Sequence, residues 1–267
     1  MAGLAELHTD ENGHNSRWSW SAADVGARLR GAALLDPEVA QHTCVIRHPA
    51  ALTPEEIRSI FDAAELHKLE HSEDKETTCG LSHVPGKLFL HHRGVTPALE
   101  PIVSKIERLV RQTDGENWGL LSDSEVSADG PIATRCVEFH SYSASDGRER
   151  CDNHYDAGSL FTADVMLSHA GDFDGGEMQS TSVDERGTPQ VTQHTFLHGD
   201  LLVFLSHKAH SVAQLKRGRR CVLVIEFWQG GKCSANHRCC DGGVARDAIC
   251  GHAEGSATYY ARYDRPA

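Results

Sequence analysis

An α+β fold, with helices in the first half and a jelly roll of antiparallel strands (a double-stranded β-helix) in the second, is what the order of patterns along this chain predicts. Apolar residues recur at helical spacing between positions 54 and 110, and after about residue 131 the pattern changes to short β-rich runs punctuated by Gly, Asp and Ser. At 267 residues the chain fits one domain with elaborations and can bury a real core. Helices first and strands later suggest a two-sheet barrel braced by N-terminal helices, and no internal repeat is visible.

The elements follow in order. Residues 1–20 are polar and unpatterned, the mark of a loose tail. Over 21–36 a short helix is expected, because Ser21-Ala22-Ala23-Asp24 offers a start and Val25, Leu29 and Ala33 share a face. Cys44-Val45-Ile46 reads as a first strand. Thr53-Pro54-Glu55-Glu56 is a capping box with proline at the first helical position, and Ile57, Ile60, Phe61 and Ala64 then repeat at helical spacing. A second helix follows from Pro97, its apolar stripe formed by Leu99, Ile102, Val103, Ile106, Leu109 and Val110 and suited to packing on the outside of a sheet. Strands are expected at 134–142, 162–168, 177–181, 201–205 and 221–228. In the last of these, Arg220, Val222 and Val224 face one way and Cys221, Leu223 and Ile225 the other. The organisation read from this is a tail at 1–20, a catalytic domain at 21–230 (helical support 21–130, jelly-roll core 131–230) and a Cys-rich tail at 231–267.

Charge and cysteine usage narrow the function. A formal charge of −12 argues against a general nucleic-acid or anionic-membrane binder, since such surfaces need clustered Lys and Arg. Residues 1–20 hold no apolar run of signal length and carry Glu6, Asp10 and Glu11, so neither signal peptide nor membrane span is read, and a cytoplasmic location is expected. Nine cysteines then suggest free thiols in a reducing compartment. Cys44, Cys136 and Cys221 read as small core residues. Cys233, Cys239, Cys240 and Cys250 crowd the tail with His237 and His252, a composition that could hold zinc but whose spacing matches no zinc template.

The chemistry-bearing residues are His154, Asp156, His210 and Arg220. Residues i and i+2 of a strand point to one face, so His154 and Asp156 can offer an imidazole and a carboxylate to one metal, with His210 arriving from another strand. Two His and one carboxylate on an octahedral Fe(II) leave three positions, enough for a bidentate 2-oxo acid and O2. Arg220, ten residues after His210, supplies a permanently charged fork for a distal carboxylate. His207, with Arg217 ten residues on, is the alternative third ligand.

The run Phe173-Asp174-Gly175-Gly176-Glu177, then Gly199-Asp200-Leu201-Leu202-Val203-Phe204, His210-Ser211-Val212 and Gly218-Arg219-Arg220, resembles the 2-oxoglutarate/Fe(II) dioxygenases of the prolyl 4-hydroxylase type, from about residue 44 to residue 229. Its landmarks align on His210. The resemblance implies an oxidoreductase with Fe(II), 2-oxoglutarate, O2 and ascorbate as cofactors or co-substrates. Its distal base, often Lys, is Arg220 here. A tyrosine at the place of Tyr142 reaches the 2-oxoglutarate in that family, so Tyr142 joins Arg220 as a co-substrate residue. The implied reaction hydroxylates an unactivated C–H with release of succinate and CO2, on a peptidyl proline or on a free amino acid or other small molecule. Neither nucleic acid nor membrane is an expected partner. A cupin-like metalloprotein that uses no 2-oxo acid would keep the His/Asp/His set without needing Arg220.

Overall fold

The computed structural model describes residues 7–8, 17–18, 37–70, 86–91, 95–122, 132–145, 149–156, 158–183, 188–229 and 232–233. In chain order these form β1 (Leu7–His8), β2 (Arg17–Trp18), a single turn α1 (Pro37–Ala40), β3 (Ile46–His48), α2 (Pro54–Glu70), β4 (Lys87–Phe89), α3 (Glu100–Asn117), β5 (Ala133–Ser143), β6 (Cys151–His154), β7 (Phe161–Met166), β8 (Phe173–Gly175), β9 (Met178–Val183), β10 (Pro189–Gln193), β11 (Leu201–Leu205), β12 (His210–Val212) and β13 (Leu215–Trp228). The helix expected over 21–36 lies outside the described residues. Where a loose tail was expected, β1 and β2 form a two-residue antiparallel ladder.

The remaining strands make two antiparallel sheets. The larger runs β3-β11-β7-β13-β5-β4, with β8 on the first part of β13; the smaller runs β10-β9-β12-β6. The expected strand at Cys44 starts two residues later, as β3, pairing with β11 through Ile46↔Val203. Three strands escaped the sequence reading (β4, β8 and β10), and β6 and β12 were expected only as the strands that carry His154 and His210, without bounds; all five are three to five residues long. They are too short or too polar to show alternation; β10 is largely exposed along its length.

Helix α2 starts at the expected capping box. The Thr53 backbone N–H donates to Glu56 Oε2 at 2.8 Å and the Glu56 N–H donates to Thr53 Oγ1 at 3.3 Å. Lys105 of α3 donates to the same Glu56 at 2.8 Å, tying the two helices together. Helix α3 begins at Glu100 with Leu99 as its N-cap and proline in its first turn, slightly later than expected.

Strand alternation divides the larger sheet into two faces. Val137, Phe139, Ala163, Val165, Leu201, Val203, Leu223 and Ile225 share one buried core with Ile57 and Ile60 of α2 and Ile102, Ile106 and Val110 of α3. Phe61 of α2 meets Phe139 edge-on, with ring centroids 5.6 Å apart. The opposite face carries two smaller clusters. Met166, Val222 and Val224 pack with Phe196, and Leu202 and Phe204 pack with Met178 of the smaller sheet. The smaller sheet therefore covers the inner face of the larger one. No described helix is long and apolar enough to cross a membrane.

The expectation of free thiols throughout fails at Cys233, which is disulfide-bonded, whereas Cys44, Cys136, Cys151 and Cys221 form no disulfide. That removes Cys233 from any zinc set. The expectation rested on composition and compartment, and composition carries no information about which thiols meet in space.

Candidate metal centre

His154 ends β6, and His210 opens β12 directly opposite it in the antiparallel register. Their rings lie 4.3 Å apart, centroid to centroid. Asp156 is not on the same strand as His154, contrary to expectation. It lies beyond the end of β6, where its backbone N–H donates to Ser206 O at 2.7 Å, at the end of β11. The turn carries the carboxylate across to the edge of the larger sheet, and the three groups converge all the same. One nitrogen from each histidine and one oxygen of Asp156 all lie within 4.8 Å of one another. His207 does not join this group; it is fully buried and its ring lies 5.6 Å from that of Tyr155.

Both histidines are oriented in the same way. His154 Nδ1 donates to Asp152 O at 2.8 Å, and His210 Nδ1 donates to Lys208 O at 2.9 Å. A carbonyl can only accept, so Nδ1 carries a proton in each ring and Nε2 is the atom that offers a lone pair once the ring is neutral. The two Nε2 atoms face opposite oxygens of Asp156, at 3.7 Å from Oδ1 and 3.6 Å from Oδ2. Thr162 of β7 donates to Asp156 Oδ2 at 2.8 Å and lies 2.9 Å from Ser206 Oγ. Outer partners that fix the tautomer of a histidine and the pose of a carboxylate are what metal sites require. Burial pulls the His154 imidazole down, but the Cys151 thiol at 3.6 Å, the Asp156 charge and the Asp152 carbonyl outweigh it and push its pKa up to about 9. Upstream of His210, the buried Lys208 ammonium donates to Gln41 O, Thr181 O and Ser182 Oγ at 3.1–3.3 Å, pinning the turn whose carbonyl orients the ring.

Arg220 points to the inner face, as the alternation of β13 predicts, and is 1% exposed. Tyr142 is its direct cross-strand partner on β5. The guanidinium carbon lies 5.5 Å from the centroid of the Tyr142 ring and 5.7 Å from that of Phe196. Its Nε has no hydrogen-bond partner among the described residues. Gly176 makes room for it, and Gly218 lets the backbone of Asp172 approach. A Cβ on Gly176 would sit 2.9 Å from Leu215 Cδ1 and 3.1 Å from Arg220 Cδ, and one on Gly218, at φ 78°, would collide with Asp172 O. The Gly175-Gly176 pair was expected only to make a turn; Gly176 also lets the arginine stem pass.

The sequence reading missed a set of inner-face acids. Glu138 of β5 pairs with Lys87 at 2.6 Å and with His140 at 2.6 Å. Glu226 of β13 lies 3.5 Å from Arg135 and accepts from the Ser159 hydroxyl. Asp164, the sole charged residue of the otherwise buried strand β7, stands opposite Val224 and has no partner for Oδ1 among the described residues. Burial and the Asp156 charge push Asp164 up to about 8, against the pull of Arg220 and His154. A lone acid inside an apolar strand is the signal that could have found it.

No family model and no curated protein matches the chain. Solved structures similar to it include a Pseudomonas putida prolyl-4-hydroxylase, at 16% identity over 70% of this chain and 93% of that one with a TM-score of 0.47. Another is an oxidoreductase of the 2OG-Fe(II) oxygenase family from Burkholderia pseudomallei, at 19% identity, 82% and 94% coverage and a TM-score of 0.45. A third is a Trichoplax adhaerens prolyl hydroxylase in complex with a hypoxia inducible factor oxygen degradation domain peptide fragment, at 14% identity, 76% and 89% coverage and a TM-score of 0.49.

Proposed function

We propose that this chain is an Fe(II)- and 2-oxoglutarate-dependent dioxygenase that hydroxylates an unactivated C–H bond, its two sheets forming a double-stranded β-helix. The observation that carries the reading is the shared orientation of His154 and His210, each tied through Nδ1 to a carbonyl and presenting Nε2 to the buried Asp156 carboxylate. A buried arginine in the same interior, whose Nε has no hydrogen-bond partner among the described residues, supports an anionic co-substrate. The donor set, two imidazoles and a carboxylate, suits Fe(II) with open positions.

His154, Asp156 and His210 would hold the metal, which when bound supplies the activation of O2 that oxidises the C–H bond while 2-oxoglutarate is converted to succinate and CO2. Thr162 and the two backbone carbonyls orient the three side chains toward one another. Arg220 binds the distal carboxylate of the co-substrate with its charged fork. Tyr142, whose ring lies beside the guanidinium, helps to hold that fork in place, and its hydroxyl reaches the co-substrate as the sequence resemblance implies. Met166, Val222, Val224 and Leu202 line the interior and exclude water from a reactive centre. The sequence resemblance points to a peptidyl proline as substrate, with free amino acids as the alternative.

The test is Fe(II)- and O2-dependent conversion of 2-oxoglutarate to succinate, with ascorbate as reductant, against a panel of proline peptides and free amino acids. Succinate formed above the no-substrate rate with one panel member identifies the substrate class. No binding and no turnover of 2-oxoglutarate by iron-loaded protein would sink the reading.

A further inference from the structure

We propose that Asp164 is a binding residue for the 2-oxo acid, donating a hydrogen bond to it as a neutral carboxylic acid. The inference rests on the dioxygenase reading above and deepens it at the same cavity.

Asp164 faces the interior from β7, between Thr162, which touches Asp156, and Met166, which packs with Val222. Successive inward positions on a strand are roughly 6.6 Å apart at 3.3 Å per residue. Asp164 thus stands one inward position above the metal triad, while Arg220 lies further along the same face of β13. A ligand reaching from the triad to Arg220 must pass it.

What sets Asp164 apart is that it forms no ion pair among the described residues. The other two buried acids of this face have one each, Lys87 for Glu138 and Arg135 for Glu226. Asp164 is 9% exposed, has no ion pair and has no hydrogen bond to Oδ1 among the described residues. The groups that face it are Arg220 and Glu226 from β13, His154 and Asp156 from the β6 end, and, one strand further, Glu138 and His140 of β5. From β11 it meets only the apolar Leu202, its direct cross-strand partner.

A dianionic 2-oxo acid entering this cavity would be repelled by an ionised Asp164. The neutral acid turns that repulsion into a donated hydrogen bond. In the metal-free protein burial and the Asp156 charge push the Asp164 pKa up to about 8; a bound divalent cation pulls it down and the dianion pushes it back up, so binding of the 2-oxo acid is coupled to protonation of Asp164.

The experiment titrates 2-oxoglutarate into Mn(II)-loaded protein, which does not turn over, by calorimetry between pH 6.5 and 9.5 in pairs of buffers of different ionisation enthalpy. Wild-type affinity is expected to be flat below the pKa of Asp164 in the Mn(II)-loaded protein and to fall by up to about tenfold per pH unit above it, with proton uptake on binding in that range. Asp164→Asn, which keeps a donor, should bind within about threefold of wild type at pH 7 with a flat profile and no uptake, and Asp164→Leu should bind about tenfold more weakly. An unchanged pH profile in Asp164→Asn, or binding by Asp164→Leu as tight as wild type, overturns the proposal while leaving the dioxygenase reading intact. Wild-type protein that takes up Mn(II) but binds no 2-oxoglutarate at any pH overturns both.

Discussion

His210 and His154 are direct cross-strand partners, and each ring is held by the carbonyl two residues before it in the chain. Removing any of His154, Asp156 or His210 should therefore cost metal affinity beyond the roughly 10–100-fold that loss of an outer partner costs in metal sites. Thr162→Val, which deletes the bond to Asp156, belongs to the outer class and should weaken Fe(II) binding about tenfold. His207→Ala is the control and should leave the affinity alone. Anaerobic Fe(II) titration of the variants reads all of this; retained affinity in His210→Ala with loss in His207→Ala would mean that the third ligand is misassigned.

Arg220 should matter to the co-substrate and not to the metal. Deleting one partner of a buried charge pair costs about 3–5 kcal/mol, so Arg220→Ala should weaken 2-oxoglutarate binding by at least about a hundredfold with Fe(II) affinity unchanged. Arg220→Lys should recover part of the loss, keeping the charge without the fork. Arg219 is exposed on the other side of the strand, and Arg219→Ala should bind normally. Equal losses in the two alanine variants would show that the loss is not specific to the inward arginine.

Gly218 is a stability prediction at the entrance to the same strand. Its φ of 78° and the Asp172 carbonyl, 1.9 Å from where a Cβ would stand, leave no room for a side chain, and the obstacle is backbone. Gly218→Ala should destabilise the protein by roughly 2 kcal/mol or more. Gly171→Ala, with nothing within 4 Å, should shift the urea midpoint little. Matching midpoints for the two variants would contradict the tight approach of β8 and β13.

Asp164 also sets a pH dependence of stability in metal-free protein. Its folded-state pKa, about 8, lies above the unfolded value near 3.8, so its contribution is fully present below about pH 4 and is lost as pH rises through 8. Asp164→Asn removes this titration. The stability of the variant relative to wild type should rise from pH 4 to about 8 and level off above that. Urea midpoints across the range check the slope, and a difference that falls with pH would show that the buried carboxylate is stabilised by a cation.

Much of this was legible because strong periodicity survives the tertiary context. The stripe of α3, the capping box of α2 and the alternation that sends Arg220 inward and Leu223 outward are each specified within a few consecutive residues. The convergence of His154 and His210 was legible as a spacing, but the placement of Asp156 beyond the strand was not. Its position depends on a bond to Ser206, fifty residues away, that no local pattern encodes. Phe196 and the clearance at Gly176 were invisible for the same reason, since each acts on Arg220 across strands. The short strands β6 and β12, which hold the candidate ligands, are too short and polar to show the alternation from which their bounds could be read.

Both histidines belong to the smaller sheet, while Asp156 is moored to Ser206 and Thr162 of the larger one. An ion shared by the three groups would act as a rivet between two leaves that otherwise meet through a thin seam of side chains around Met178, Leu202, Phe204 and Phe196. Losing the ion would then let the β6–β12 leaf lift at its edge while the β5–β7–β13 leaf, clamped by the helices on its far side, keeps its shape.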